Sequence, residues 1–364
     1  MRKVITRDLV PGMVLATDVY NFSDQLILPA GTVLTDRAIT KLSFYSVLFV
    51  RIKDDESSAA PKAPSQPPVQ EETSYSERVK SSEEFQKFQE SFDNTMLNFS
   101  LSISDVVQKN ADINLDAMVD DTLNLIQPGT DSPINVFDMV HNMRQYDDQT
   151  FAHSINVALI SHVFAEWLGM SEEDCKLALT CGLLHDIGKL KIPEEIIKKP
   201  SRLTDKEFER VKTHPIEGYQ LLQERPLSKH IKNAALMHHE RFDGSGYPFG
   251  ISGNKIDPFA RMIAIADVYE ATTASRVYRG PLCPFQVIAI FESEGLQKYD
   301  THMIMTFLEK IVDTYMLNRV RLNNGMEGDI IYINKQALSR PTIKCGEEYI
   351  DLIKEPSLFI EAII

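Results

Sequence analysis

Short apolar runs punctuated by turn residues open the chain. QLILPAGTVL sets a Pro-Ala-Gly turn between two apolar pieces, and VLFVRI alternates loosely. Both patterns predict strands, so residues 1–53 read as a small β-containing module. Residues 54–76, DDESSAAPKAPSQPPVQEETSYS, have almost nothing to bury and predict a flexible linker. The period then changes. Ser81 and Glu84 fit a capping box, and Phe85, Phe88, Phe92, Met96, Phe99, Ile103 and Val106 recur at steps of three and four. This stripe predicts one long helix in a connector over 77–129. It is read as a buried face, with a dimer seam as the alternative because the spacing is close to heptad. From about 130 to 317 the helical period continues nearly throughout. Thr204 and Glu207 form a second capping box, on a helix expected to run out near Pro215. GDIIYIN and EEYIDLI predict two short strands in a C-terminal β-tail over 318–364. The expected class is mainly α, with a β-containing N-terminal module and a short β-tail.

Composition narrows the possible partners. The chain has 364 residues, 43% of them hydrophobic, enough for two or three domains with a real core. Its formal charge of −14 argues against a broad footprint for DNA, RNA or an anionic membrane. An anionic ligand therefore needs a local cluster of Lys, Arg or metal. Cys175, Cys181, Cys283 and Cys345 show no CxxC and no disulfide-scaffold spacing, which fits a reducing compartment. MRKVITRDLVPG lacks the apolar stretch of a signal peptide, and no run reaches the ~18 apolar residues of a membrane span. The expected location is cytoplasmic.

The candidate chemistry lies where polar groups interrupt apolar helix patterns. His153 sits in DDQTFAHSINVALI, His185 and Asp186 in CGLLHDIGKLKIP, and His214 in VKTHPIEG. His238 and His239 open HHERFDGSGYP, and Asp267 lies in RMIAIADVYEA. Any one of these is more often a satisfied core residue than a ligand. Together they are better explained by metal ligation, because a carboxylate buried without a cation or donors costs several kcal/mol. Neighbouring side chains on a helix point about 100° apart, so adjacent histidines suit two ions with one each. Asp186 beside His185 has the geometry of a bridging ligand. Two metals are the arrangement that clamps attacking and leaving oxygens in phosphoryl transfer. If the helix persists, Lys189 shares a face with His185 and can hold a phosphate. Asp243-Gly244-Ser245-Gly246 is expected to end the second helix and let the backbone approach a ligand, with Tyr247 and Pro248 as a wall. Arg276 and Arg279, in SRVYRGP, can supply the local positive charge.

HDIGK, HHERFDGSGYP and ARMIAIADVYEATTASRVYR, together with HSINVA and KTHP in the same order, resemble the HD-GYP family of cyclic di-GMP phosphodiesterases. That family is a branch of the HD metal-dependent phosphohydrolases. The resemblance covers roughly residues 130–317. VPGMVLATDVY and the β-tail also look like segments that accompany such domains, a weaker signal. The resemblance implies a helical HD-type catalytic domain with iron or manganese ions. By motif position the ligands would be His153, His185, Asp186, His214, His238, His239 and Asp267. Lys189 would contact phosphate and take part in catalysis with Asp186. Gly246, Tyr247, Arg276 and Arg279 would line the dinucleotide pocket. The implied reaction is attack by a metal-bridging hydroxide, opening cyclic di-GMP to linear pGpG and then, in a second step, to GMP.

One position departs from the family. Gln149 stands where members carry Tyr, or Glu when a third metal binds. A neutral amide replaces a bridging carboxylate poorly, which favours two divalent ions. Asp147 and Asp148 lie close by and leave a third open. Two alternatives stand beside the phosphodiesterase. One is a non-catalytic receptor for cyclic di-GMP. The other is an HD hydrolase of another cyclic dinucleotide, such as cyclic GMP-AMP, or of a mononucleotide; the GYP segment argues against the mononucleotide. The helical connector or the N-terminal module could mediate a homodimer.

Overall fold

In the computed structural model the N-terminal apolar runs pair as antiparallel strands. The structure describes residues 2–5, 9–10, 12–20, 26–34, 38, 42, 49–53, 79–126, 136–142, 149–199, 201, 203–273 and 282–364. Strand β1 (Arg2–Ile5) pairs with β4 (Phe49–Ile52), and β2 (Val19–Tyr20) pairs with β3 (Leu26–Leu28). The Pro-Ala-Gly turn is present, held by the Ala30 N–H donating to Asp18 Oδ1 at 2.6 Å. The apolar piece after it forms only a bridge, Val33 to Val14. Leu15, Leu34, Leu42, Val50 and Ile52 make a small core of their own. These elements belong to one unit, residues 1–72 with 276–280; residues 73–275 and 281–364 form the second. The linker expected over 54–76 lies outside the described residues.

The second unit begins with the long helix α1 (Glu83–Lys109). Its cap is Ser82 rather than Ser81: the Ser82 backbone is extended and its Oγ accepts from the Phe85 N–H at 3.1 Å. Phe85, Phe88, Phe92, Phe99, Ile103 and Val106 are buried in the chain's own core, so the stripe is an internal face. After α2 (Leu115–Leu123) and α3 (Val136–Asn142) come α4 (Gln149–Trp167) and α5 (Glu172–Leu184), followed by the single turn α6 (Glu194–Ile197). Helix α7 (Asp205–Val211) carries the expected Thr204–Glu207 capping box. It ends before Pro215, which sits in the first turn of the next helix, α8 (His214–Leu222). Proline is tolerated there because that position has no intrahelical donor to lose. Helices α9 (Lys229–Met237), α10 (Pro258–Thr273), α11 (Pro284–Ile290) and α12 (Thr301–Asp313) complete the helical part.

The C-terminal tail is larger than the two expected strands. Strands β5 (Arg319–Leu322), β6 (Glu327–Tyr332), β7 (Thr342–Cys345), β8 (Glu348–Asp351) and β9 (Ile360–Ile363) form one antiparallel sheet in the order β8-β7-β6-β5-β9. Val320 lies opposite Ile363, and Ile343 opposite Ile350. The added strands are four-residue segments in which only one or two side chains turn inward, too brief for alternation to stand out. Val320, Leu322, Ile330, Ile343 and Ile360 join the same core as the helices. The protein is thus mainly α with small antiparallel sheets. No helix among the described residues is long and apolar enough to cross a membrane.

Candidate metal centre

The site is assembled largely from helix ends. His153 lies within α4 and Asp267 within α10. His185 caps the C-terminus of α5, and Asp186 follows with φ −101° and ψ 9°, which breaks the helix. The helix therefore does not persist to Lys189, and residues Ile187–Lys191 form a 3-10 turn instead. Lys189 reaches back to pair with Asp186 Oδ2 rather than sharing an α-helical face with His185. His214 opens α8. His238 caps α9, so that helix ends before His239 and well before Gly244. The seven residues expected as ligands converge across five helices.

Hydrogen bonds fix how each imidazole is presented. The Nδ1 of His185 lies 2.7 Å from the Gly182 carbonyl, that of His214 2.7 Å from the Val211 carbonyl, and that of His238 3.0 Å from the Ala234 carbonyl. A carbonyl only accepts, so each Nδ1 carries the proton and each Nε2 turns a lone pair inward. His214 Nε2 and His238 Nε2 are 3.2 Å apart. Two buried lone pairs at that distance repel unless a cation lies between them. His185 Nε2 and Asp186 Oδ1 are buried and make no hydrogen bond. Unpaired groups of this kind are costly, and metal coordination satisfies them.

Asp186 stands between two groups of donors. Its Oδ2 lies 3.4 Å from His153 Nε2 and 3.3 Å from His185 Nε2. Its Oδ1 lies 3.2 Å from His214 Nε2 and 3.6 Å from His238 Nε2. One group comprises His153, His185 and Asp186; the other comprises Asp186, His214, His238 and His239. Within each group the ligand atoms fall within 4.8 Å of one another. Asp267 approaches from the other side, 3.2 Å from His153 Nε2 and 3.9 Å from His239 Nδ1. This mixed set of imidazole and carboxylate fits a divalent metal site, with Asp186 common to both donor groups.

The electrostatics agree with that fit. Burial lowers His238 to about 4, with His185 and His214 adding to it, and burial beside His238 holds His239 well below its usual range. Both rings stay neutral and able to ligate. Burial opposes the charge on Asp186, yet His185, Lys189 and His153 hold its pKa well below that of an ordinary carboxyl. Asp267 is likewise low despite burial, through His153 and His239. His153 moves the other way: burial opposes its charged form, but Glu270, Asp186 and Asp267 raise it well above the usual range. This concentration of carboxylate draws positive charge, whether a proton or a metal ion.

Behind His153 stands Glu270, a residue whose role the apolar pattern does not reveal. Its Oε2 lies 2.7 Å from His153 Nδ1 and its Oε1 accepts from Asn156 Nδ2 at 3.0 Å. Glu270 lies one turn after Asp267, and Asn156 three residues after His153, so i,i+3 spacing from each ligand was the available signal. Carboxylates behind ligating histidines orient the ring and strengthen the ligand. Glu270→Gln is expected to weaken metal affinity about 10–100-fold, measured by competition with a chelator. Unchanged affinity would remove Glu270 from the site.

The loop after the paired histidines is held by Glu240, which is 2% exposed. Its Oε1 accepts from the Phe249 N–H at 2.8 Å and its Oε2 from the Ile251 N–H at 3.1 Å. A Cβ at Gly246 would lie 2.4 Å from the Arg241 nitrogen and 2.4 Å from the His239 carbonyl. The close approach there is to the chain's own backbone. The Tyr247 ring stacks on His239 at 4.6 Å and 26°. A narrow cleft lined by Phe99, Ile103, Phe151, Leu183 and Asp186 reaches the shared carboxylate from the α1 side. Arg276, Arg279, Asp147 and Asp148 lie outside the described residues, as does the side chain of Gln149.

The HD domain family model matches residues 138–303. A cyclic di-GMP phosphodiesterase of Pseudomonas aeruginosa is 35% identical over 204 residues, 56% of this chain and 49% of that protein. The 3'3'-cGAMP-specific phosphodiesterase 1 of Vibrio cholerae is 42% identical over 145 residues, 40% of this chain and 34% of that protein. This chain spans half or less of the length of the curated relatives it matches. Among solved structures, an HDG"Y"P protein from Bdellovibrio bacteriovorus aligns with 85% of this chain and 99% of its own, at 16% identity and a TM-score of 0.47. The matched segment is an HD domain. It carries the HDIGK and HHERFDGSGYP motifs and is similar over this segment to these relatives.

Proposed function

We propose that the chain is a metal-dependent phosphodiesterase that opens cyclic di-GMP to linear pGpG. The observation that carries this reading is the pair of donor groups sharing Asp186. His153, His185, Asp186 and Asp267 would hold one divalent ion, and Asp186, His214, His238 and His239 the other. Iron and manganese suit the imidazole and carboxylate donors. Such a pair supplies an activated water at neutral pH and stabilises charge on the phosphoryl oxygens. The protein's own groups do the rest. The backbone carbonyls and Glu270 hold the imidazoles in one orientation, so no reorganisation is needed at the moment of reaction. Tyr247 covers His239 and limits water on that side. The Lys189 side chain is 24% exposed at its place beside Asp186, so its ammonium can meet an incoming phosphate.

The substrates named for the relatives, cyclic di-GMP and 3'3'-cGAMP, share a guanylate half, and this chain's substrate is drawn from the same class. The test is turnover of both dinucleotides by protein purified without oxygen, with metal counted on the same sample. Two ions per chain and pGpG as product support the proposal. Preferential cleavage of cyclic GMP-AMP would move the substrate, three ions with GMP accumulating would add a second step, and binding without turnover would make the chain a receptor. Lys189→Ala is expected to keep its metal and lose about a hundredfold in rate. An unchanged rate would place Lys189 outside the reaction.

A further inference from the structure

Beside Tyr247 the surface carries three side chains that the metal centre does not use. Lys212, which caps α7, places its Nζ 5.4 Å from the centre of the Tyr247 ring. The same Nζ lies 5.9 Å from the ring of Phe208 and donates to Glu209 Oε1 at 3.0 Å. Phe208 is a large aromatic left 51% exposed. The Glu209 side chain is 67% exposed and that of Lys212 29%. Tyr247 in turn lies against His239, so this cluster borders the metal centre at a remove of one ring.

We propose that Phe208, Glu209 and Lys212 form a guanine-recognition site. The inference rests on the phosphodiesterase reading and deepens it, because it says which base the pocket selects. Guanine presents an O6 acceptor next to its N1–H and N2–H donors. An ammonium beside a carboxylate matches that edge: Lys212 donates to O6 while Glu209 accepts from N1–H and N2–H. Adenine offers a donor where guanine has O6 and no proton on N1, so the same pair meets it with donor against donor. Phe208 offers an exposed ring on which the purine can stack, a contact every base can make and which carries affinity rather than choice. Lys212 beside two aromatic rings is held near them by cation–π attraction. Tyr247, which touches both His239 and Lys212, is the link between this cluster and the metal centre.

The test uses the full chain loaded with metal, and Lys212→Met and Glu209→Gln. Binding of GMP and AMP is measured by calorimetry, since neither nucleotide contains a phosphodiester. Hydrolysis of bis(p-nitrophenyl) phosphate, which has no base, reports on the metal centre. The parent chain is expected to prefer GMP over AMP about tenfold or more, the value of one good pair of base contacts. Both variants should bring that ratio towards one, and should lower kcat/KM for cyclic di-GMP by a similar factor. Metal content and bis(p-nitrophenyl) phosphate hydrolysis should not change. Equal binding of GMP and AMP by the parent, or a preference that survives both substitutions, overturns the site. A guanine preference lost in the variants, in a chain that does not cleave cyclic di-GMP, would support this site and sink the phosphodiesterase reading instead.

Discussion

Asp186→Ala is expected to lose metal and activity together. Asp186 is the one side chain common to both donor groups, and its side chain is 1% exposed. Each of its oxygens faces a different set of imidazoles, Oδ2 towards His153 and His185, Oδ1 towards His214 and His238. Alanine therefore takes a donor from both groups at once. It also removes the charge that holds Lys189 in place. Loss of metal-based stabilisation worth ~4 kcal/mol corresponds to a rate about a thousandfold lower. Metal content should fall by at least one ion per chain, read by elemental analysis on protein whose circular dichroism shows it folded. Asp186→Asn sharpens the test because it keeps the volume and removes only the charge. A variant that kept its full metal complement would break the shared-carboxylate arrangement.

Much of this centre could be read in the residues themselves. The seven ligand candidates stand out as polar interruptions of apolar runs, and a buried carboxylate among Ile263, Ala264, Ile265 and Ala266 demands a partner. What the pattern could not give was their placement at helix ends. His185 and His238 cap helices and His214 opens one, so the backbone changes direction beside the ligand. Periodicity reports the interior of a helix and says little about its last residue. The same limit moved the cap of α1 from Ser81 to Ser82, and the end of α7 from Pro215 to Val211. Glu270 escaped notice for a different reason. It lies behind His153, and a carboxylate one turn from a ligand looks like any solvated acid until the partner ring is in view.

Gly188→Ala is the substitution expected to cost most in stability near the site. A Cβ at Gly188 would lie 2.0 Å from the His214 carbonyl oxygen and 2.5 Å from the Gly218 nitrogen. Both are backbone atoms of α8, which cannot swing aside as a side chain can. The 3-10 turn after Asp186 and the start of α8 must therefore separate, and His214 moves with its helix. Overpacking of this kind costs typically about 1–3 kcal/mol, more where backbone is struck. In a unit of this size that corresponds to a fall in Tm of about 2–5 °C. Gly218→Ala is the matched control across the same contact. Its Cβ would meet the Gly188 nitrogen at 3.3 Å and the Ile187 Cγ2 at 3.5 Å, close to ordinary packing. Thermal unfolding and chelator competition on the two variants separate a general loss of stability from displacement of His214. Gly188→Ala should lose both Tm and metal affinity, whereas Gly218→Ala should stay near the parent in each. Equal behaviour of the two would mean that α8 does not approach the Asp186 turn closely enough for Gly188 to set the position of a ligand.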